Sequence, residues 1–524
     1  MGSLLREMTD EYQEYLRDES HTVGWAEQIA FPRTEEEVRQ VLRQAWERDL
    51  PVTLQGGRTG ISAGCVPHGG VVVSLARMTR AEGCRALGDG RFSFLVQPGV
   101  VLSEFGKWVE SKRFDTRGWD GESLAAYGGF CRSGEFFFTP DPTERSACIG
   151  GMAACNASGA RSYLYGPTRP HILSLRAVLM DGRTVALRRG ERFAHGLTFE
   201  LPCEDGSVLK GTLPTYTMPP TKNTSGYYCA PDMDLMDLFI GSDGTLAAMT
   251  QLEVALVPSP AFQWCVNAYF MEEDQAMTFV KAVRDDGEKA AAIEYFDGDA
   301  LDILRRQRAE NPAFSALPPV PDGAAAAVCV ELHDDDRSHI QARLFRLGEQ
   351  LTAAGGREED TQVARTAADV ATLKFFRHAV PESVNMLIAQ RKKQDPVITK
   401  LGTDMAVPDD RLDQVVALYR RGLRETGLES AVWGHVGNNH LHVNILPRNG
   451  EDYRRGKALY ADWARAVTEM GGAVSSEHAV GKAKADFLEI MYGPAHIAEM
   501  RALKKVFDPK GLLGQDNLFA KEGD

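Results

Sequence analysis

The sequence predicts an α+β protein of two or three lobes, and three observations carry that expectation. At 524 residues the chain exceeds what one hydrophobic core usually serves. Its front half alternates strand-like and helix-like runs with interspersed hairpins, punctuated by glycine clusters, which points away from a uniform doubly wound sheet. The glycine clusters cease near Pro258-Ser259-Pro260, after which helices and strands alternate until a mostly helical tail. These shifts divide the chain into a leader over 1–25, a first domain over 26–260, a second over 261–450 in which an antiparallel sheet is expected, and a C-terminal helical segment over 451–524.

The first regular element follows the acidic leader, where Thr34 and Glu37 have capping-box spacing and Val38, Val41, Leu42 and Trp46 recur on one helical face. That helix should stop near Leu50-Pro51. The segments VTLQ, VVVSLARM and FSFLVQPGV read as strands, SEFGKWVES as a short helix, and ILSLRAVLMDGRTVALRR as a hairpin turning at Asp181-Gly182. Near the end, Ile497, Met500, Leu503 and Phe507 keep near-helical spacing up to an Asp508-Pro509 stop.

Composition removes several function classes. Hydrophobic residues at 43% and charged residues at 25% argue against extensive disorder or a fibrous repeat. A formal charge of -14 leaves no basic footprint for nucleic acid, so any cations that grip an anionic substrate must be few and local. The nine cysteines contain no CxxC pair, which excludes a built-in ferredoxin-type cluster and reads as reduced thiols. No apolar run approaches membrane-spanning length, and the start has neither a secretory core nor transit-peptide character. Met1-Gly2 is no myristoylation signal, since Arg6 stands where Ser or Thr is wanted. A cytoplasmic location, or one peripheral to the inner membrane, is expected.

Three glycine clusters and one histidine cluster carry chemistry. In PVTLQGGRTGISAG a strand runs into Gly56, Gly57, Arg58, Thr59 and Gly60, where successive N–H groups can converge on a phosphate; a tight surface turn also fits this loop taken alone. In IGGMAACNASGARSYLYGPTRPHI, Gly150, Gly151, Asn156, Gly159 and Gly166 would let a helix or turn lie against a flat ring; a close-packed helix crossing is the alternative. A third glycine-rich turn, IGSDGTLAAMTQLEVAL, leads into an apolar strand. In WGHVGNNHLHVN, His440 and His442 have strand spacing and share a face, and the Gly-Asn-Asn turn can return His435 beside them. With Glu477 of SSEHAVG they are plausible metal ligands, or hydrogen-bonded histidines in a polar crevice.

The three glycine segments, in this order, resemble the FAD-binding (PCMH-type) domain of the vanillyl-alcohol oxidase superfamily, in its D-lactate dehydrogenase, glycolate oxidase large-subunit and D-2-hydroxyglutarate dehydrogenase branch. The resemblance covers the chain beyond the leader. It implies a two-subdomain FAD-binding domain with Gly56 to Gly60 along the pyrophosphate and Pro140, Asp141, Gly150, Gly151, Asn156, Gly159, Gly166 and Asn517 around the dinucleotide. Arg58 stands where covalently flavinylated relatives carry histidine, so the flavin is expected to be non-covalent. The family motif G-H-x-G-D-G-N-L-H, followed by S-x-E-H-G, implies that His435, His442 and Glu477 hold a divalent ion, zinc or manganese. Asn438, Asn439 and His440 depart from its D-G-N, and Ala479 replaces the common glycine. By the same resemblance Arg377 and Lys400 would hold a substrate carboxylate and Asn444 would approach the substrate. His478 would take the hydroxyl proton, imidazole having an ordinary pKa of about 6.5.

The activity so implied is oxidation of a small D-2-hydroxy acid (D-lactate, glycolate or D-2-hydroxyglutarate) to the 2-oxo acid. Electrons would leave through a separate acceptor, whether an electron-transfer flavoprotein, an iron–sulfur protein, a cytochrome, a quinone or oxygen; a homodimer is compatible with this. A second carboxylate would call on Arg391, Lys392 or Lys393. The alternatives are a redox-neutral flavoenzyme resembling alkylglycerone-phosphate synthase and a noncatalytic flavin-binding subunit, which would not need His435, His442, Glu477 and His478 together. Against the family pattern, residues 116–138 form a glycine- and aromatic-rich insertion, which reads as a mobile lid, a docking surface or an elaborated loop.

Overall fold

A computed structural model describes residues 4–519, so the Met1-Gly2 start lies outside the described residues. Three sheets of four, five and eight strands, beside two two-stranded pairs, organise the described residues. The first has four strands, with Gln28–Ala30 and Val52–Gln55 both parallel to Val71–Ser74. Helix Glu35–Glu47 covers it, burying Val38, Val41, Leu42 and Ala45 against Val52, Val71 and Val73. Its start follows from local chemistry. Thr34 Oγ1 accepts from Glu37 N at 3.2 Å, while the Glu37 carboxylate accepts from Arg33 N at 2.6 Å, one residue before the return bond of a standard capping box.

A five-stranded antiparallel sheet places Ala248–Ala255 at its centre, between Phe92–Val96 and Ile172–Val178. The hairpin expected at Asp181-Gly182 forms between Ile172–Val178 and Thr184–Arg188, with Gly182 at φ +86°. The insertion carries a helix of its own, and its end, Glu135 to Phe138, lines the cavity. Asp120 caps a helix, Gly121–Arg132, by accepting from Ser123 N at 2.7 Å. Phe94, Phe114, Trp119 and Phe130 then lock the insertion onto the sheet, and Trp119 Nε1 donates to Ala81 O at 2.9 Å. Its aromatic residues serve a core rather than a surface.

The third sheet has eight antiparallel strands, among them Phe262–Phe270, Ala292–Asp297, Ala326–Asp334, Ser430–His435 and His440–Ile445. Alternation splits it into two unlike faces. Ile293, Tyr295, Val330, Leu441 and Val443 point into one core, under helices that include Glu273–Arg284 and Leu412–Thr426. The residues between them, including Glu294, Glu331, His440, His442 and Asn444, fall on the opposite face, where the long helix Ala367–Gln394 crosses. The tail is two helices, Gly450–Glu469 and Ala485–Phe507, the second kinked at Gly493-Pro494. The loop between them carries Glu477 and His478.

The described part of the leader, residues 4–25, is also structured. Arg6–Glu7 pairs with Gln28–Ala30, Tyr12 and Tyr15 pack on Phe31, and Asp18 to Thr22 line the cavity described next.

Candidate active site

The glycine-rich half, the polar face of the eight-stranded sheet and the tail enclose one cavity of about 2020 Å³. Pockets for single drug-sized ligands run to roughly 300–1,000 Å³, so this one has room for a dinucleotide and a small substrate together. Its wall at one end is glycine backbone: Gly56, Gly57, Gly60, Gly150 and Gly151, with Arg58, Thr59, Pro140 and Asp141. The glycines matter in two ways. A Cβ on Gly150 would lie 2.4 Å from Pro98 Cβ, so glycine lets the helix Ile149–Cys155 seat tightly. A Cβ on Gly60 or Gly151 would meet nothing within 4 Å, leaving bare backbone beside open space where a flat or phosphate-bearing group fits.

Four residues expected around the dinucleotide do not line this wall. Asn156 caps a helix at φ +49° and accepts from Arg169 N. Gly159 packs so closely that a Cβ would lie 2.1 Å from Asp141 O, and Gly166 turns against Pro170. Asn517 spends its amide on Gly64 O and Asp243 O, tying the tail to the glycine loop. Arg58 does reach the cavity, but its guanidinium is held over the Tyr15 ring and by Glu14 at 3.2 Å.

At the other end the hairpin Ser430–His435/His440–Ile445 sets His435 directly opposite His440 and Trp433 opposite His442. Gly434 is needed there: at φ +142° a Cβ would lie 2.8 Å from His440 O. His435 Nδ1 lies 2.7 Å from Glu294, and its Nε2 faces the Glu477 carboxylate at 3.2 Å. His442 Nδ1 donates to Thr403 O at 3.0 Å, and its Nε2 lies 3.1 Å from Glu477 Oε1. Both rings therefore have one nitrogen committed behind and the other turned to Glu477, the arrangement that prepares imidazole to bind a metal. With His440, one ligand atom from each of these four residues lies within 4.8 Å of the others. The donor set fits a divalent ion.

Glu477 is held in place by Asp404, whose carboxylate accepts from the Glu477 and His478 backbone N–H groups, from Ser475 and from Lys484 at 2.6 Å. Ala479 accepts the left-handed φ of +60° that the loop demands, at a cost glycine would avoid. The electrostatics are those of a concentrated charge cluster. Burial would raise the Glu477 pKa, but Lys222, at 2.6 Å, and the His435 and His440 imidazoles hold it well below the carboxylate range. Burial would likewise depress His435, yet Glu294 and Glu477 raise it to about 9. His442 is pushed down by burial.

Around this centre, His478 stacks on His442 at 5.3 Å and lines the cavity, as do Arg377, Lys400 and Asn444. Arg377 NH1 is 3.7 Å from Glu331. Burial, with no charged neighbour to offset it, pushes the Lys400 ammonium down to about 8; it lies 5.6 Å over the Trp433 ring. Asn444 donates to His442 O and leaves its Oδ1 without a partner. Of the cations suggested for a second carboxylate, Lys392 and Lys393 reach the cavity, whereas Arg391 is spent on Leu446 O and Glu429. Glu294, Glu331, Asp404 and Lys222 were not singled out in the sequence. A lone carboxylate inside an apolar strand, as in AAIEYF and VCVELH, is the signal that could have found the first two; Lys222 sits in a polar loop that offers none.

Two family models match this chain: the FAD binding domain over residues 26–130 and 120–188, and the C-terminal domain of FAD linked oxidases over 259–517. The chain belongs to the FAD-linked oxidase family. The two stretches of the first match overlap over 120–130, within the insertion. This FAD-linked oxidoreductase is 25% identical to the glycolate oxidase subunit GlcD of Bacillus subtilis, over 94% of this chain and 89% of that one. It is 24% identical to a D-lactate dehydrogenase of Anaerostipes hadrus, over 97% and 93%. Among solved structures, an alkyldihydroxyacetonephosphate synthase superposes with a TM-score of 0.63 at 14% identity, covering 98% of this chain and 82% of that one, a likeness of fold. No helix among the described residues is long and apolar enough to cross a membrane.

Proposed function

We propose that this flavoenzyme oxidises a D-2-hydroxy acid to the 2-oxo acid with a non-covalent FAD and a divalent metal, zinc or manganese, held by His435, His442 and Glu477. The observation that carries the proposal is that the bare-glycine wall and the His435–His442–Glu477 cluster, flanked by Arg377, Lys400 and Asn444, open into one cavity. We place flavin binding in residues 26–260 and substrate binding in 261–450, with 451–524 closing the site through Glu477 and His478. When bound, the flavin supplies the two-electron acceptor and the metal a Lewis-acidic pull on the hydroxyl.

The chain's own residues divide the remaining work. Lys400 and Arg377 hold the substrate carboxylate, the lysine as a point charge without a competing anion and the arginine as a planar fork. Asn444, whose Oδ1 has no hydrogen-bond partner among the described residues, approaches the substrate. His478 takes the hydroxyl proton; its Nε2 lies 3.4 Å from Glu477 Oε1 and its Nδ1 3.5 Å from Asp404, which keep the ring facing the centre. The nine cysteines include no closely spaced set that a ferredoxin-type cluster needs, so electrons leave through a separate acceptor protein, a quinone or oxygen. The relatives act on glycolate and D-lactate by their names, and D-2-hydroxyglutarate would draw on Lys392 and Lys393 for its second carboxylate.

Anaerobic titration of the yellow protein with D- and L-2-hydroxy acids tests this. Bleaching of the flavin band by a D-acid, lost on chelation and restored by zinc or manganese, is expected. A protein without a flavin band, or a flavin inert to every acid, refutes it.

A further inference from the structure

We propose that His440 is a fourth ligand of the metal centre, making it a set of three imidazoles and one carboxylate; this rests on the metal-assisted reading above. The family motif has asparagine at this position, so the centre would be a property of this chain. The case begins with register: His440 faces His435 across the hairpin and shares a sheet face with His442, whose ring centroid is 4.4 Å away. Its side chain is fully buried. Its Nδ1 has no hydrogen-bond partner, and its Nε2, although 3.0 Å from Asp404 Oδ1, is out of line for a hydrogen bond.

Leaving a buried polar nitrogen unsatisfied costs about 1–3 kcal/mol. A cation between the ring and Glu477 Oε2, which lies 3.9 Å from Nδ1, would remove that cost. On the far side a carboxylate stands ready: Asp404 Oδ1 lies 3.0 Å from His440 Nε2, out of the hydrogen-bonding line that Glu294 keeps with His435 Nδ1 and Thr403 O with His442 Nδ1, and a metal on Nδ1 would favour a proton on Nε2 toward it. A second grouping, of Asp404, His442, Glu477 and His478, also falls within 4.8 Å. Asp404 is less free to ligate there, because it already accepts from Ser475, from the Glu477 and His478 N–H groups and from Lys484. The Lys222 ammonium holds Glu477 Oε2 at 2.6 Å and is the cation a metal competes with.

Three neutral imidazoles favour zinc over the harder manganese more than two do. Four protein ligands also fill a tetrahedral set, so the substrate would enter as a fifth donor, an expansion zinc tolerates.

Metal-stripped protein, refilled with zinc, manganese or cobalt, tests this in wild type, His440→Asn and His435→Ala. His440→Asn should lower zinc affinity, read by chelator competition, by about 100-fold or more, since loss of a ligand exceeds the roughly 10–100-fold cost of losing an outer partner. Its manganese affinity should fall much less, and the visible cobalt bands should change, with flavin content and circular dichroism retained. X-ray absorption of zinc-loaded wild type, which needs no variant, should count three imidazoles. Two imidazoles, or wild-type zinc affinity and cobalt bands in His440→Asn while His435→Ala loses both, overturns the fourth ligand and leaves the proposed function standing. Wild type that takes up no metal overturns both.

Discussion

With Lys400 in its proposed role at the substrate carboxylate, raising the pH above about 8 should weaken substrate capture by this enzyme, because that cation then loses its charge. Lys400 is brought down from an ordinary 10.5 to about 8 by burial, and no acidic neighbour offsets that. The sign follows directly. Desolvation disfavours the ammonium, so in the free enzyme the lysine is charged below pH 8 and neutral above it. On that value about nine-tenths of the enzyme carries the charge at pH 7 and about one-tenth at pH 9. Since kcat/KM reports ionisations of the free enzyme, it should fall about tenfold per pH unit beyond 8, whereas kcat changes less because bound carboxylate raises the lysine's pKa. Lys400→Arg, charged throughout, should move this limb beyond the accessible range. Lys400→Met should lose about 10- to 150-fold in kcat/KM, the worth of one hydrogen bond to a charged group, and show no such limb. Steady-state rates from pH 6 to 10 on the three proteins decide it, and an alkaline limb that survives unchanged in Lys400→Arg refutes the assignment.

Gly151→Leu should fill the wall left open beside Gly151 and yield folded but colourless protein, checked by flavin absorbance against circular dichroism; a full complement of flavin would disprove the placement of the dinucleotide. Glu294→Gln keeps the shape but removes the anion 2.7 Å from His435 Nδ1, so metal affinity should drop by about 10–100-fold in a chelator competition, and an unchanged affinity would mean that Glu294 does not orient the ligand. Trp119→Ala should cost about 3–5 kcal/mol in denaturant unfolding, because the insertion is core; a change below 1 kcal/mol would return it to the status of a loop.

Much of the fold could be read locally. The Thr34 cap, the apolar stripe behind it and the Asp181-Gly182 turn are each decided by residues within a few positions of one another, and the structure forms all three. The insertion is less legible, because its Trp119 and Phe130 find their partner in Phe94, on a strand whose pairing a linear pattern does not reveal. At the site, the strand spacing of His440 and His442 set their common face, and the glycine clusters marked where backbone would be left bare.

What the sequence determined by itself was therefore residue types and their local spacing: glycine-rich loops, imidazoles on one strand face near a carboxylate, and scattered cations. Tertiary structure alone decided which of these meet. It turned Asn156, Gly159, Gly166 and Asn517 to packing, and it set Glu294 behind His435, Asp404 behind Glu477 and Lys222 against it. Those contacts span tens to hundreds of residues. Periodicity reports which face a side chain takes, but its partner across that face depends on how the sheets and helices pack.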